Sequence, residues 1–235
     1  MSTLSKKIKK CEKIIKGDEM DELSKEYFLI EEFRPTTITQ DISRLIIFFI
    51  HLYYFRMILQ VFGFHPKIFL FLTTITFYIN AGYFFITFAN AVLHKYQQTI
   101  LIKQCKINTI FRLGFTMSTV VVILYWAIYF SNPTMLGDSE YPLHFDLFLH
   151  GGNLVVLVVD RIFIDREHRY EIRINNKVLL AIPICYFSTV YSIYLWTGFA
   201  VYPLFSKLCF YKLQVLLLAG YLLFLAGNAV YKLLI

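Results

Sequence analysis

The sequence lacks the short motifs from which most soluble enzymes build their sites. It contains no GxGxxG or GxxxxGK[ST] stretch, and HExxH and GxSxG are absent as well. These absences exclude the common dinucleotide, phosphate-loop, zinc-protease and α/β-hydrolase sites. The four cysteines show no CxxC or Cys/His spacing, so neither a disulfide framework nor a zinc site is indicated. We therefore expect no metal and no water-soluble cofactor.

Charged residues are also few, and they are not concentrated in one place. They make up 17% of the chain, and the net charge of +7 is spread over the stretches between apolar runs. A nucleic-acid-binding protein would gather such charge on one motif or face, so no nucleic-acid partner is expected. The first forty residues lack an apolar h-region, so we expect no cleaved signal peptide.

Apolar and aromatic residues dominate instead. The chain is 57% hydrophobic and 18% aromatic, with 24 Phe and 17 Tyr, well above the apolar share of a soluble domain. Six apolar runs approach the roughly 20 residues that a bilayer-crossing helix needs. The sequence therefore predicts an all-α polytopic membrane protein with six transmembrane helices in one bundle. The six runs are about Leu45–Phe64, Ile68–Leu93, Ile110–Phe130, Phe145–Ile164, Val178–Phe199 and Leu213–Ile235.

The polar segments divide the chain and orient it. We expect a polar cytosolic tail over residues 1–41 and a transmembrane domain over 42–235. Lys and Arg are concentrated in the second and fourth connections, 94–109 and 165–177, which the positive-inside rule places in the cytosol together with both termini. The absence of a mitochondrial presequence and the lack of retention motifs leave the endoplasmic reticulum, another endomembrane or the plasma membrane as the expected location. The tail begins with a basic stretch that is either an amphipathic membrane-surface helix or a solvated segment. Its apolar positions are Leu4, Ile8, Cys11 and Ile15.

The fourth apolar run carries a stripe of polar residues. Asp146, His150, Asn153 and Asp160 are separated by four, three and seven positions, which places them on one face of a helix. Polar groups inside a membrane are costly unless they face protein or water, so the stripe indicates a functional site. Asp160 lies ten residues, about 15 Å, from His150. We interpret it as a charge at the cytosolic edge, near Arg161.

The second run has a polar stripe of its own, formed by Thr73, Thr76, Asn80 and Tyr83. Such residues in membrane helices often bond back to their own backbone or hold helices together. The topology favours a further role for one of them. Thr73 and His150 each lie about five residues past the outer start of their runs, roughly 8 Å deep. Two polar groups at one depth on parallel helices can share a cavity.

The chemistry that suits this pair is acyl transfer. A Thr hydroxyl becomes a nucleophile when a base removes its proton, and imidazole titrates near neutrality. Thr73 would attack an ester carbonyl, and His150 would act first as base and then as acid. Asp146, one turn away, either orients the imidazole or caps the start of the fourth helix.

Two questions about this site stay open at the level of the sequence. An oxyanion hole is needed, and its donors are Asn80, Asn153 or backbone groups freed at Gly151–Gly152. A different function is also compatible with the histidines. His51 and His150 are candidates for paired haem ligands if they face each other at one depth.

Three stretches together resemble a known family. They are FLTTITFYINAGYFF (71–85), DLFLHGGNLVVLVVD (146–160) and WTGFAVYPLF (196–205). From about Lys67 to Ile235 the chain resembles the androgen-induced-protein/FAR-17a-like family of multi-pass membrane proteins. Members of that family include intramembrane threonine hydrolases that cleave fatty acid esters of hydroxy fatty acids with one Thr and one His. Those two positions match Thr73 and His150.

The resemblance implies a lipid ester hydrolase whose partners are membrane lipids and a fatty acyl ester substrate. The alternative is a catalytically inactive scaffold or lipid-binding protein with the same fold. The sequence does not indicate an oligomeric state.

Overall fold

The computed structural model describes residues 36–63, 66–97, 102, 104–131, 142–164, 176–199, 201 and 210–234. Within these ranges the regular structure is entirely helical. The basic stretch at the start of the predicted tail lies outside the described residues. A short 3-10 turn at Pro66–Leu70 precedes the second long helix. The six long helices are α1 (Ile38–Phe62), α2 (Leu72–Gln97), α3 (Gln104–Ser131), α4 (Leu143–Ile164), α5 (Asn176–Thr197) and α6 (Phe210–Leu234).

A capping box sets where the first helix begins. The Thr37 hydroxyl accepts a hydrogen bond from the Gln40 N–H at 3.3 Å, and the Gln40 side chain accepts one from the Thr37 N–H at 2.8 Å. This reciprocal pair satisfies two backbone donors that a helix start leaves without partners. Helix α1 therefore begins at Ile38, seven residues before the apolar run that predicted it.

Four of the helices are long and apolar enough to cross a bilayer: Ile38–Phe62, Leu72–Gln97, Lys106–Ser131 and Leu143–Ile164. The all-α, multi-pass membrane architecture that the sequence predicted is confirmed at this level. The fifth and sixth predicted segments are also helical. That they cross the membrane too stays a prediction.

Helix α3 lies at the centre of the bundle, packed against α2, α4 and α6. Helix α2 also packs against α1 and α4, so the helices that carry Thr73 and His150 are direct neighbours. Helix α1 runs antiparallel to α2, because Phe48 contacts Phe85 whereas Phe62 contacts Phe71.

The same helix runs antiparallel to α4. Arg44, near the start of α1, pairs with Asp160 near the end of α4, and Tyr54 stacks on Phe148 near its beginning. Helices α2 and α4 are therefore parallel to each other. This agrees with the relative direction that the sequence predicted for the second and fourth runs.

Asp160 is the centre of a buried polar cluster. Its side chain is fully buried and lies 3.0 Å from the guanidinium Nε of Arg44, which is itself 2% exposed. The Tyr83 hydroxyl donates to the other carboxylate oxygen at 2.5 Å. Arg161 is buried as well, with its guanidinium over the ring of Phe111. Asp160 is therefore a buried charge that a cation from α1 compensates inside the bundle. That it lies at the cytosolic edge of the membrane stays a prediction.

Helix α4 is not a regular α-helix. Two π-helical turns, Phe148–Gly152 and Asp160–Ile164, interrupt it, with α-helical stretches at Leu143–Leu147 and Asn153–Val159. A π turn closes i→i+5 hydrogen bonds and so advances by a smaller angle per residue than an α turn. Side chains on either side of such a turn consequently face different neighbours.

We predict that Arg44→Met lowers the free energy of unfolding by about 3–5 kcal/mol, because it leaves the Asp160 carboxylate buried without its cation. Thermal unfolding of the detergent-purified protein measures this change. Arg56→Met is the matched control, since Arg56 lies on the same helix but is exposed. Equal stability of the two variants would contradict the role assigned to Asp160.

Candidate functional site

His150 and Asp146 form a hydrogen-bonded pair on one turn of α4. The imidazole Nδ1 lies 3.0 Å from the Asp146 carboxylate oxygen Oδ1 and 3.1 Å from the Asp146 backbone carbonyl. A carbonyl only accepts, as does an ionised carboxylate, so Nδ1 carries the proton. In the neutral imidazole the lone pair is then on Nε2, which is the nitrogen that a general base uses.

Two aromatic residues of α3 hold this pair. The Tyr125 ring stacks on the imidazole with a centroid distance of 3.5 Å and an interplanar angle of 8°. Its hydroxyl donates to Asp146 Oδ2. The Trp126 indole N–H donates to the backbone carbonyl of His150 at 3.1 Å. Since three of these contacts come from a neighbouring helix, the orientation of His150 does not depend on α4 alone.

Asp146 does not cap the helix. Helix α4 begins at Leu143, with Pro142 at the N-cap position and no side-chain cap. The carboxylate lies within the first turn and bonds Tyr125 and His150 instead. Of the two interpretations that the sequence allowed, the capping role is therefore wrong, while an orienting role in catalysis stays a prediction.

The helix register places Thr73 at the level of His150. Asn80 of α2 donates to Ser118 of α3 at 2.9 Å, and these helices are antiparallel, because Tyr83 further along α2 meets Phe111 earlier in α3. Thr73 lies seven residues before Asn80, and Tyr125 lies seven residues after Ser118. Both are therefore about 10 Å from that hydrogen bond, towards the same end of the bundle. His150 stacks on Tyr125 and so shares this level.

A second contact gives the same register. Tyr83 and Asp160 bond each other, and the helices that carry them are parallel. Thr73 lies ten residues before Tyr83, as His150 lies ten residues before Asp160. The π turn in α4 shifts this count by a fraction of a turn. Two independent contacts therefore agree on one level for Thr73 and His150.

Thr73 shares a helix face with a residue of α2 that packs against α4. Phe77 follows it by four positions and thus shares its face. Phe77 belongs to a buried cluster with Phe148 and Leu149, the two residues that precede His150. Thr73 itself is half-buried, one turn nearer the beginning of the helix. The pair's catalytic role stays a prediction, but both members belong to neighbouring helices at one depth.

The other polar residues of the α2 stripe bond either their own helix or a neighbouring one. The Thr76 hydroxyl donates to the carbonyl of Leu72 in its own helix at 2.7 Å. Asn80 bonds α3, and Tyr83 bonds α4. The sequence offered back-bonding and helix association as the ordinary roles for such residues, and these three adopt them.

Asn153 forms a pair with the buried His51 of α1. The His51 Nε2 lies 3.1 Å from Asn153 Oδ1, and its Nδ1 lies 2.8 Å from the Ile47 carbonyl. Both ring nitrogens of His51 are thus engaged, and its ring is enclosed by Phe77, Phe84 and Phe148. This arrangement does not fit the prediction that His51 and His150 ligate a haem, which needs a nitrogen lone pair from each.

The polar stripe of α4 is thus divided between two neighbours. Asp146 and His150 contact α3, whereas Asn153 and Asp160 contact α1. The sequence predicted that all four share one face, because it assumed a constant 3.6-residue period. The π turn at Phe148–Gly152 breaks that period between the two halves of the stripe.

The predicted oxyanion donors are not equivalent in the structure. The amide N–H₂ of Asn80 already donates to Ser118. The side-chain amide of Asn153 is engaged with His51 of α1 and faces away from His150. Backbone groups at Gly151–Gly152 are less suitable, because the helix continues through them and the Asn153 N–H bonds the Phe148 carbonyl. Each of the three candidates is thus engaged elsewhere, and the identity of the oxyanion donor stays a prediction.

Tyr125 is the site residue that the sequence did not indicate. It lies in the third apolar run, within a tyrosine–tryptophan pair that is typical of the end of a membrane helix. Counting residues from the outer end of that run would have placed it at the depth of His150. Nothing in a single sequence, however, shows that α3 rather than another helix lies beside α4.

Comparison with known families agrees with this architecture. The family model described as FAR-17a/AIG1-like protein matches residues 42–234. The chain therefore belongs to the FAR-17a/AIG1-like family, as the resemblance of its motifs predicted. The matched range contains both polar stripes. No curated protein and no solved structure matches the chain.

We predict that His51 and Asn153 are energetically coupled. Replacing either one, by His51→Phe or Asn153→Leu, leaves a buried polar partner unsatisfied and lowers the free energy of unfolding by about 1–3 kcal/mol. The double variant should lose less than the sum of the two single losses. Unfolding of all four proteins measures the difference. Strict additivity would show that the two side chains do not interact.

Proposed function

We propose that this protein is an intramembrane lipid ester hydrolase with Thr73 as nucleophile and His150 as general base. The observation that carries the proposal is the Asp146–His150 hydrogen bond at 3.0 Å, which leaves Nε2 as the basic nitrogen. The common level of Thr73 and His150 on neighbouring parallel helices supports the same assignment. Asp146 orients the imidazole and stabilises the imidazolium that forms during the reaction.

The first half of the reaction forms an acyl-enzyme. His150 Nε2 takes the proton from the Thr73 hydroxyl as its oxygen attacks the ester carbonyl carbon. The negative charge that develops on the carbonyl oxygen is stabilised by a hydrogen-bond donor, for which Asn80, Asn153 and the backbone at Gly151–Gly152 are the candidates. The ester C–O bond then breaks, and the Nε2 proton passes to the departing alkoxide, which leaves as an alcohol.

The second half returns the enzyme to its starting state. A water molecule gives one proton to His150 Nε2 as its oxygen attacks the acyl-Thr73 carbonyl. The bond to the Thr73 oxygen breaks, the proton passes back to that oxygen, and a carboxylic acid is released. His150 and Asp146 are partly exposed, at 16% and 18%, so the site is not sealed inside the bundle.

The substrate is a fatty acyl ester, for which a fatty acid ester of a hydroxy fatty acid is the specific candidate. Two features support this choice: the surroundings of the site are aromatic and aliphatic, and the family that the chain resembles includes such hydrolases. An apolar wall binds an acyl chain, while a few polar groups fix the ester. The substrate enters from the bilayer, and no water-soluble cofactor takes part.

We also propose that all six helices cross the membrane, with both termini in the cytosol. The charge distribution of the connections supports this topology. The site then lies in the non-cytosolic half of the bilayer, because α2 and α4 begin on that side. An endoplasmic reticulum, other endomembrane or plasma membrane location is compatible with it.

A second candidate function is a membrane scaffold or lipid-binding protein without catalysis. The polar stripe of α4 favours this scaffold function, since Asp146, Asn153 and Asp160 each bond a residue of another helix. Such contacts hold membrane helices together whether or not a reaction takes place.

We predict that Thr73→Ala and His150→Ala each abolish hydrolysis of a fatty acyl ester. The first removes the nucleophile and the second its base, so rates should fall by about 10³-fold or more. A fluorophosphonate probe should label the wild type and neither variant. Purified protein with chromatographic detection of the released fatty acid gives the rate.

Thr74→Ala is the matched control for this experiment. Thr74 is the adjacent threonine, with its side chain buried and turned by about 100° from that of Thr73. It should keep both activity and labelling. Full activity of Thr73→Ala would exclude Thr73 as nucleophile, and an unlabelled, inactive wild type would favour the scaffold.

The topology has a separate test. Asn-X-Thr acceptor sites introduced at 135–137 should be glycosylated, because this connection is expected on the luminal side. The same tripeptide at 170–172 should remain unmodified, because that connection is expected in the cytosol. Modification of the second site alone would reverse the proposed orientation.

A further inference from the structure

We propose that Tyr125 is a positioning residue for the reaction, fixing the ring orientation of His150. This inference rests on the proposed function, since it concerns the base of that reaction. It is carried by the two contacts that a single side chain makes, one with Asp146 and one with His150.

The hydroxyl of Tyr125 fixes the carboxylate. It donates to Asp146 Oδ2, while the imidazole Nδ1 meets Oδ1 of the same group at 3.0 Å. A carboxylate held through one oxygen has little freedom to rotate, so its other oxygen stays beside Nδ1. The Asp146 backbone carbonyl, 3.1 Å from Nδ1, is a second acceptor for the same proton, so the proton of the neutral ring remains on Nδ1. In the other tautomer the proton is on Nε2, which then has no lone pair with which to accept the Thr73 proton. A wrong tautomer of this kind lowers kcat severely.

The ring of Tyr125 fixes the plane of the imidazole. The two rings are parallel within 8° and 3.5 Å apart, so the imidazole cannot turn about its Cβ–Cγ bond without losing the stack. The stack also places an aromatic face against the imidazolium that forms when His150 accepts the Thr73 proton. A cation over an aromatic face is stabilised electrostatically, most strongly where water is scarce.

The neighbours of Tyr125 keep it in place from both sides. Tyr129, one turn along α3, stacks on it with a centroid distance of 6.1 Å. Trp126 donates to the His150 carbonyl at 3.1 Å, which joins α3 to the π turn that carries the histidine. Helix α3 thus contacts His150 at its backbone carbonyl and on its ring face, and it also contacts the Asp146 carboxylate that bonds the imidazole.

Two substitutions separate the two contacts. Tyr125→Phe removes the hydroxyl and keeps the ring, whereas Tyr125→Leu removes both. We expect Tyr125→Phe to lower kcat by about 10- to 100-fold, the size of one lost hydrogen bond to a charged group, with KM unchanged. Tyr125→Leu should lower it further. Tyr129→Phe is the control, since it removes a neighbouring hydroxyl without touching Asp146, and it should retain the wild-type rate.

A measurement that does not require activity accompanies the kinetics. The ¹⁵N NMR spectrum of histidine-labelled protein in detergent shows which imidazole nitrogen carries the proton, and His150→Gln identifies the signal by its loss. The wild type should show one narrow set of Nδ1–H imidazole signals for His150, because its ring is held in one orientation, and Tyr125→Phe should show broadened or doubled signals.

The two readouts keep this inference apart from the proposed function. A wild-type rate and wild-type His150 signals in Tyr125→Phe would overturn the positioning role. If the wild type hydrolyses no ester, the proposed function fails, and the His150 signals in Tyr125→Phe alone decide whether Tyr125 orients His150.

Discussion

Asp160 places a full negative charge inside a bundle of membrane helices, and the arrangement of three helices follows from compensating it. An isolated buried carboxylate is too costly to persist, so it must meet a cation and its hydrogen bonds. Arg44 and Tyr83 supply them from two different helices. A slip of one residue along either helix would turn its side chain away by about 100°. The pair therefore sets the axial register, and Thr73 and His150 share a level because of it.

Much of the architecture was predictable because it follows from length and polarity. A run of about 20 apolar residues has few stable alternatives to a membrane helix. Polar stripes at helical spacing had to face inward, and those of α2 and α4 do. The start of α1 was misplaced because Thr37 and Gln40, which cap it, lie outside the apolar run. The cation that pairs with Asp160 was missed for a related reason, since Arg44 lies 116 residues earlier in the chain.

The candidate site was predictable only where its members share one helix. Asp146 and His150 are four residues apart, and that spacing alone predicts a contact. Tyr125 belongs to another helix, and helix order around a bundle is not encoded in periodicity. The π turn was equally hidden, because the 3.6-residue pattern continues through FLHGG without a break. Asn153 consequently faces His51 rather than the histidine beside it in the stripe.

The two π turns of α4 make chain length, as much as residue identity, a requirement of this helix. The stretch from His150 to Asp160 connects a side chain that must meet α3 with one that must meet α1. Removing one residue there, or adding one, would rotate the two ends relative to each other by about 100°. Either Tyr125 or Arg44 would then lose its partner, whatever side chain had been changed. Between these two positions a substitution changes only the contacts of its own side chain. An insertion or deletion instead rotates the candidate site relative to the ion pair that sets its register.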